Sequence, residues 1–286
     1  MSFYRSIFRP DLFAGQVYLV TGGGTGIGRT IAFELASLGA HVVVAARKEE
    51  RLQQVVDAIQ KDGGSASFHT VNIRDEDSIA AMFDAILAEH GTLHGLVNNA
   101  GGQFPSPAQF ISKKGWHAVV ETNLTGTFLV SKEAYNRVFG DHGGAVVNIV
   151  AEMWRGFPGM AHTGAARAGV VNLTKTLAVE WAHAGVRVNS VAPGTIAGHG
   201  LTQYDEGIQE MLSQIQKDVP MKRLGTESEI SAAVTFLLSP AASYISGETM
   251  RVDGASSLWI KTWEVPEHNH FPPFEGWPED PSNKEE

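Results

Sequence analysis

The sequence predicts an α/β fold: a doubly wound parallel sheet with helices on both faces, three layers deep, in a single domain. Three observations carry this. Short β-rich runs alternate with longer helical patterns along most of the 286 residues, which is how successive right-handed crossovers read. Several of the runs (HVVVAA, AVVNIV) are almost continuously apolar, as strands buried on both faces are. The 31 glycines exceed the usual ~7% share, so many positions call for tight turns or close backbone approach.

Taken in order, the first strand is Val17 to Val20, followed by a helix through IAFELASLG that Gly39 ends. A second strand, His41 to Ala46, leads into a helix over 48–61. Strands at Ser67 to Val71, Leu93 to Val97, Ala145 to Val150, Val186 to Val191 and Thr249 to Val252 make seven. Helices over 76–90, 115–139, 161–183 and 226–239 separate them. Residues 197–222 are polar and amphipathic and read as a lid over a site. The domain is expected to span 1–262, and 263–286, proline-rich and acidic, to form an extended or disordered tail.

Composition excludes several classes of function. With no cysteine there is no disulfide framework, thiolate nucleophile or cysteine-bearing zinc site. A formal charge of -9 lacks the basic footprint of a nucleic-acid binder. No apolar run approaches the ~20 residues of a membrane span, the N-terminal stretch is too broken by charge for a secretion signal, and Asn283-Lys284-Glu285-Glu286 is not a peroxisomal address. A cytoplasmic location is expected. His117, His183, His199 and the tail histidines show no metal-ligand spacing, so no metal is expected.

The first strand runs into Thr21-Gly22-Gly23-Gly24-Thr25-Gly26-Ile27-Gly28 and then a helix. The spacing Gly-x-x-x-Gly-x-Gly supplies a tight turn, a backbone that approaches a pyrophosphate, and helix amides aimed at the anion. Strand before and helix after make it a dinucleotide site, with Thr21, Gly22, Gly24, Thr25, Gly26, Ile27 and Gly28 as its residues. The second strand ends in Arg47-Lys48 and carries no acid to take a ribose hydroxyl. Two cations suit a 2′-phosphate, so the expected cofactor is NADPH.

These residues, with Asn98-Asn99-Ala100-Gly101 and Pro193-Gly194, resemble the short-chain dehydrogenase/reductase superfamily from about 13 to 258. The resemblance implies a single Rossmann-type sheet of seven strands. It implies that Asn72 and Ile73 edge the adenine, that Asn99, Ala100 and Gly101 line the cleft, and that Pro193, Gly194 and Ile196 hold the nicotinamide end. Where the family often has a Thr two residues after that Ile there is Gly198, leaving Thr195 or Thr202 to replace the contact.

The catalytic motif departs from the family pattern. After the fifth strand comes Val150-Ala151-Glu152 in place of Ser. The following helix reads Thr163-Gly164-Ala165-Ala166-Arg167, with Thr for Tyr and Arg for Lys, still on one helical face at i, i+4. Asn123 matches the fourth active-site position. Reducing a ketone needs an acid that delivers a proton to oxygen; Tyr beside Lys can be tuned to that task. A Thr hydroxyl is far too weak an acid, and Arg stays protonated. Such a site stabilises charge more than it exchanges protons. Hydride addition to the β-carbon of an enoyl thioester, whose enolate oxygen needs donors, matches it.

The chain further resembles the branch holding trans-2-enoyl-CoA and 2,4-dienoyl-CoA reductases, through Gly101 to Phe104, Lys114 to Val119, Glu121 to Phe128, Gly164 to Val170 with Asn172 to Lys175, and Trp263 to Pro266. That implies NADPH-dependent reduction of an acyl-CoA double bond. The alternatives are an atypical alcohol or carbonyl reductase acting on terpenoids such as citronellol, and an NADPH-binding protein without turnover. Arg167 is read as binding cofactor ribose or an oxyanion. Thr163 either donates to the thioester carbonyl or caps its helix, and Asn123 organises water or only satisfies backbone groups. Glu152 and His162 are the nearby proton carriers; a solvated carboxylate and a packing histidine are their plainer readings. Gln103 and Phe104 line the acyl pocket, and Lys113, Lys114 and Arg155 are candidates for CoA phosphates or solvated surface. The long helices 115–139 and 161–183 resemble those through which the superfamily forms dimers and tetramers.

Overall fold

A computed structural model describes residues 4–198, 214–260 and 263–277. Seven parallel strands form one sheet: β1 (Val17–Thr21), β2 (His41–Ala46), β3 (Ser65–Thr70), β4 (Gly95–Asn98), β5 (Gly144–Ile149), β6 (Val186–Pro193) and β7 (Thr249–Val252). Their spatial order is β3-β2-β1-β4-β5-β6-β7. The order reverses direction between β1 and β4, the switch point outside which ligands bind in such sheets. β1 is buried at every residue: Tyr18 and Val20 face one core with Ile31, Leu35, Ile230 and Val234, Leu19 the other with Ile79, Phe83, Val130 and Leu177.

The longer helices are α1 (Gly26–Ser37), α2 (Glu49–Lys61), α3 (Glu76–His90), α4 (Lys113–Val120), α5 (Gly126–Ala134), α6 (Ala161–Glu180) and α7 (Glu227–Leu238). Asp75 starts α3 by accepting from the Asp77 and Ser78 amides, and Thr226 with Glu229 closes a capping box at α7. None of the described helices is long and apolar enough to cross a membrane.

Four expectations shift. The 115–139 helix begins at Lys113, where Ser112 accepts from the Gly115 amide, and is broken by π turns at Glu121–Thr125 and Tyr135–Phe139. Periodicity does not register one extra residue in a turn. The 161–183 helix is α-helical to Glu180, then tightens into a 3₁₀ turn at Ala182–Ala184 that left-handed Gly185 ends. β3 begins and ends earlier than apolarity suggested because its polar Ser65 pairs with His41 at the sheet edge. β4 begins only at Gly95. Of the 197–222 segment read as a lid, residues 199–213, with His199 and Thr202, lie outside the described residues.

Residues 263–277 have no helix or strand and lie against the body. Arg223 Nε donates to the Phe271 carbonyl (2.7 Å) and Thr226 Oγ1 to that of Phe274 (2.7 Å). Trp277 packs edge-on against Tyr4 and Phe33, and the Arg29 guanidinium lies over its ring.

Candidate active site

The glycine-rich loop leaves β1 through Gly22 and enters α1 at Gly26, whose φ values of 67° and 57° lie in the left-handed region open to glycine. Asn99, after β4, clasps the loop: its Nδ2 donates to the carbonyls of Thr21 and Gly22, both at 3.1 Å. Thr21 Oγ1 returns the tie by accepting from the amides of Asn99 and Ala100. A Cβ on Gly28 would collide with Asn99 and the Gly22 carbonyl, so this glycine serves helix–strand packing.

A cleft of about 500 Å³ opens beyond the loop. It is lined by Gly22, Gly24, Thr25, Gly26, Ile27, Gly28, Arg47, Lys48, Asn72, Ile73, Asn99, Ala100, Gly101 and Ile196, all expected there. Thr21, Arg167, Pro193 and Gly194, also expected there, do not line it. Thr21 is buried under the loop and pairs the ends of β1 and β4. Pro193 is buried in β6, and a Cβ on Gly194 would come within 2.8 Å of the Asp253 backbone. The structure adds Arg51, Arg74 and Glu227 to the wall. Arg51 stands one turn after Arg47 in sequence, a spacing that could have revealed it. Glu227 comes from the start of α7, far along the chain, takes a hydrogen bond from Thr30 Oγ1 (2.9 Å), and gave no sequence signal.

The cleft wall beyond the tip of β2 therefore carries four cations. Arg47, Lys48 and Arg51 make no ion pair among the described residues, and Arg74 meets Glu121 at 3.6 Å. Strand β2 ends there without a carboxylate. This donor set fits a cofactor bearing a 2′-phosphate.

Behind Gly101, at the edge of the cleft, lies a buried group of polar side chains. Arg167, on α6, is 8% exposed and donates from Nη1 to the Ile149 carbonyl at 2.7 Å. It has no carboxylate partner among the described residues, and burial pushes its guanidinium down to about 10, still cationic at neutral pH. Its Nη2 abuts Gly101, where any side chain would strike it and Asn123 Oδ1. Asn123, in the first π turn, accepts from the Gly102 amide (3.2 Å) and donates to the Gly102 and Val119 carbonyls (2.6 and 2.9 Å). Both its amide protons are thus engaged, so Asn123 fixes the 101–102 backbone and has no proton left for water or substrate.

Thr163 and His162 are fully buried. His162 Nδ1 accepts from the Thr163 amide at 2.8 Å and lies 3.3 Å from Thr163 Oγ1, which places the ring proton on Nε2. That atom is buried without a partner. Phe104 packs edge-to-face on the His162 ring, centroids 4.5 Å apart; Gln103 is exposed beside it. Glu152 lies apart, half-buried toward Ser256 and Asp253. Burial foremost, with Asp253, raises its carboxyl above the usual range, against Ser256, Arg155 and Arg251. Lys113, Lys114 and Arg155 are exposed.

Residues 22–256 match a family described as Enoyl-(Acyl carrier protein) reductase. A peroxisomal 2,4-dienoyl-CoA reductase of Danio rerio is 37% identical over 260 residues, covering 90% of this chain and 87% of the relative. A 3-oxoacyl-[acyl-carrier-protein] reductase of Staphylococcus aureus is 36% identical over 238 residues, 82% of this chain and 96% of the relative. The solved structure of a citronellol catabolism dehydrogenase from Pseudomonas aeruginosa PAO1 superposes with a TM-score of 0.80 at 54% identity, covering 89% of this chain and 100% of that one. With the seven-stranded sheet and the Asn99-clasped glycine loop, these likenesses place the chain in the short-chain dehydrogenase/reductase family of oxidoreductases.

Proposed function

We propose that the protein reduces the α,β double bond of an enoyl-CoA thioester with NADPH. The single observation that carries this reading is the buried Arg167, cationic and without a carboxylate partner, beside a threonine where the family's proton-donating tyrosine would stand. Such a pair holds negative charge and cannot readily hand a proton to oxygen.

Arg47, Lys48, Arg51 and Arg74 would hold the 2′-phosphate, the 22–28 loop the pyrophosphate, and Gly101 with Ile196 the nicotinamide end. Bound there, the cofactor supplies a hydride. Addition at the β-carbon moves the electron pair of the double bond onto the thioester oxygen, and a solvent proton then completes the α-carbon. In this arrangement Arg167 spreads positive charge toward the developing enolate or the adjacent ribose. Asn123 keeps Gly101 and Gly102 pressed against it, and Thr163 orients His162 through its amide. Phe104 offers an apolar wall to the acyl chain, while Lys113 and Lys114, at the start of α4, stand where CoA phosphates could meet them.

The 54% identity to a citronellol catabolism dehydrogenase favours a second reading: oxidation or reduction of a terpenoid alcohol or aldehyde. NADPH absorbance followed against linear and methyl-branched trans-2-enoyl-CoAs, 2,4-dienoyl-CoAs, citronellal and a 3-oxoacyl-CoA separates the two. Oxidation of NADPH with the unsaturated thioesters alone supports the proposal. Oxidation with citronellal or the ketone alone replaces it with carbonyl chemistry. Tight NADPH binding with no turnover on any of them would point to a non-catalytic binder.

The protein is further read as a homo-oligomer. Trp116 on α4, Phe128 on α5 and Val179 on α6 are 38%, 40% and 79% exposed, apolar surface on the helices that the family resemblance assigned to self-association. Light scattering that returns a mass of one chain would end that reading.

A further inference from the structure

Away from the cleft, at the opposite end of the strands, three ligand-bearing side chains converge. His41 opens β2, and Glu89 and His90 close α3. Their ligating atoms all lie within 4.8 Å of one another, and the His41 and His90 rings stand 4.2 Å apart at 43°. His90 Nε2 is buried without a hydrogen-bond partner, 3.6 Å from Glu89 Oε1. His41 has one ring nitrogen 2.7 Å from Ser65 Oγ and the other 2.9 Å from Ser67 Oγ.

We propose that His41, Glu89 and His90 form a binding site for a divalent transition metal ion, with Zn²⁺ the best-fitting one. Two imidazoles and one carboxylate are a ligand set that Zn²⁺ accepts, with water completing the tetrahedron. The serines add what a surface pair of histidines lacks. When one His41 nitrogen binds the ion, the other keeps its serine, and that outer hydrogen bond fixes ring and tautomer as around established metal sites. The position helps as well: Glu89 and His90 sit in the last turn of α3, where the negative end of the helix dipole favours a cation. His90 Nε2 would gain the partner it lacks.

The ion would act as a clamp. It would join the last turn of α3 to β2, next to the sheet's edge strand β3. His41 and the cleft-lining Ala46 sit at opposite ends of β2, some ~16 Å apart at the rise of a strand. Binding is therefore expected to raise thermal stability and leave turnover unchanged. The spacing of histidines along the chain could not reveal this site, since two separate elements bring its ligands together.

Titration calorimetry and thermal melts of the full chain with Zn²⁺ test it. The expected result is one equivalent bound and a melting point raised by about 2 °C or more, with binding weakened at least ~10-fold in His90→Gln and in Glu89→Gln and kept in a His268→Gln/His270→Gln variant. Glu89 is exposed, so Glu89→Gln keeps the test alive if a histidine variant misfolds. As a second readout, Co²⁺ should give intense tetrahedral absorption bands in the wild type that Glu89→Gln weakens. Absence of binding, or binding that the His90 and Glu89 changes leave intact, overturns the proposal.

Discussion

The rim of the cleft and the buried group behind Gly101 hold their positive charge in opposite ways. On the rim Arg47, Lys48 and Arg51 are exposed and free of ion pairs among the described residues, so water already solvates them and a phosphate gains only modest net energy from each. Behind Gly101 a single guanidinium is buried with one carbonyl for company. A charge held there in low dielectric acts much more strongly on whatever forms beside it. The contrast suggests a division of labour under the proposed function: several weak contacts would choose the cofactor, and one strong contact would serve the chemistry.

The largest test of that contrast is Arg167→Ala. It should lower kcat at least ~100-fold, the scale for removing one preorganised donor from a developing oxyanion. Arg167→Lys should recover only part, because an ammonium cannot reach the Ile149 carbonyl and the cleft with the same fork. Steady-state kinetics on the best unsaturated thioester checks both; survival of turnover would move the chemistry elsewhere. On the cleft rim, Arg47→Ala or Arg51→Ala should raise KM for NADPH ~3-fold, about 0.7 kcal/mol, with little change in kcat or in KM for NADH. An equal loss for both cofactors would remove the 2′-phosphate assignment.

The outer end of the cleft was legible in the sequence because its signals are local. Glycines that permit left-handed φ, and cations at a strand tip, act within a few residues of one another. The inner end was only half legible. Spacing along α6 put Thr163 and Arg167 together, yet nothing local shows that Asn123 has spent both amide protons on carbonyls, since one of them belongs to the loop at Gly102. The π turn that turns Asn123 inward is a single-residue departure from helical spacing. Glu227 reaches the cleft across a long stretch of chain, beyond any periodicity argument. The ends of strands β3 and β4 moved for a simpler reason: apolarity marks burial, whereas pairing decides where a strand begins.

A smaller effect separates core from cleft. Glu34 is fully buried and accepts from Tyr4, Ser6 and Ser231 hydroxyls; burial, opposed by these bonds, raises its carboxyl above the usual range. The folded state then holds a proton that the unfolded chain, titrating near 4.5, has released. The stability linked to this proton is complete below about 4.5 and lost as pH rises through the higher folded value. The melting point of the wild type relative to Glu34→Gln should therefore climb as pH falls from 7.5 toward 5. A flat difference would show that the carboxyl stays ionised throughout.

Smallest of all, Trp277→Ala should cost about 1 kcal/mol of stability, the scale of its aromatic and cation–π contacts, and leave kcat unchanged. Helix α1 gives these contacts a wider meaning. Its first turn belongs to the cofactor loop, and one turn on, Arg29 and Phe33 grip Trp277. The glycine loop and residues 263–277 thus meet on one helix. By reciprocity of linked equilibria, NADPH should slow proteolytic trimming after residue 263, and a protein already trimmed there should release its cofactor sooner.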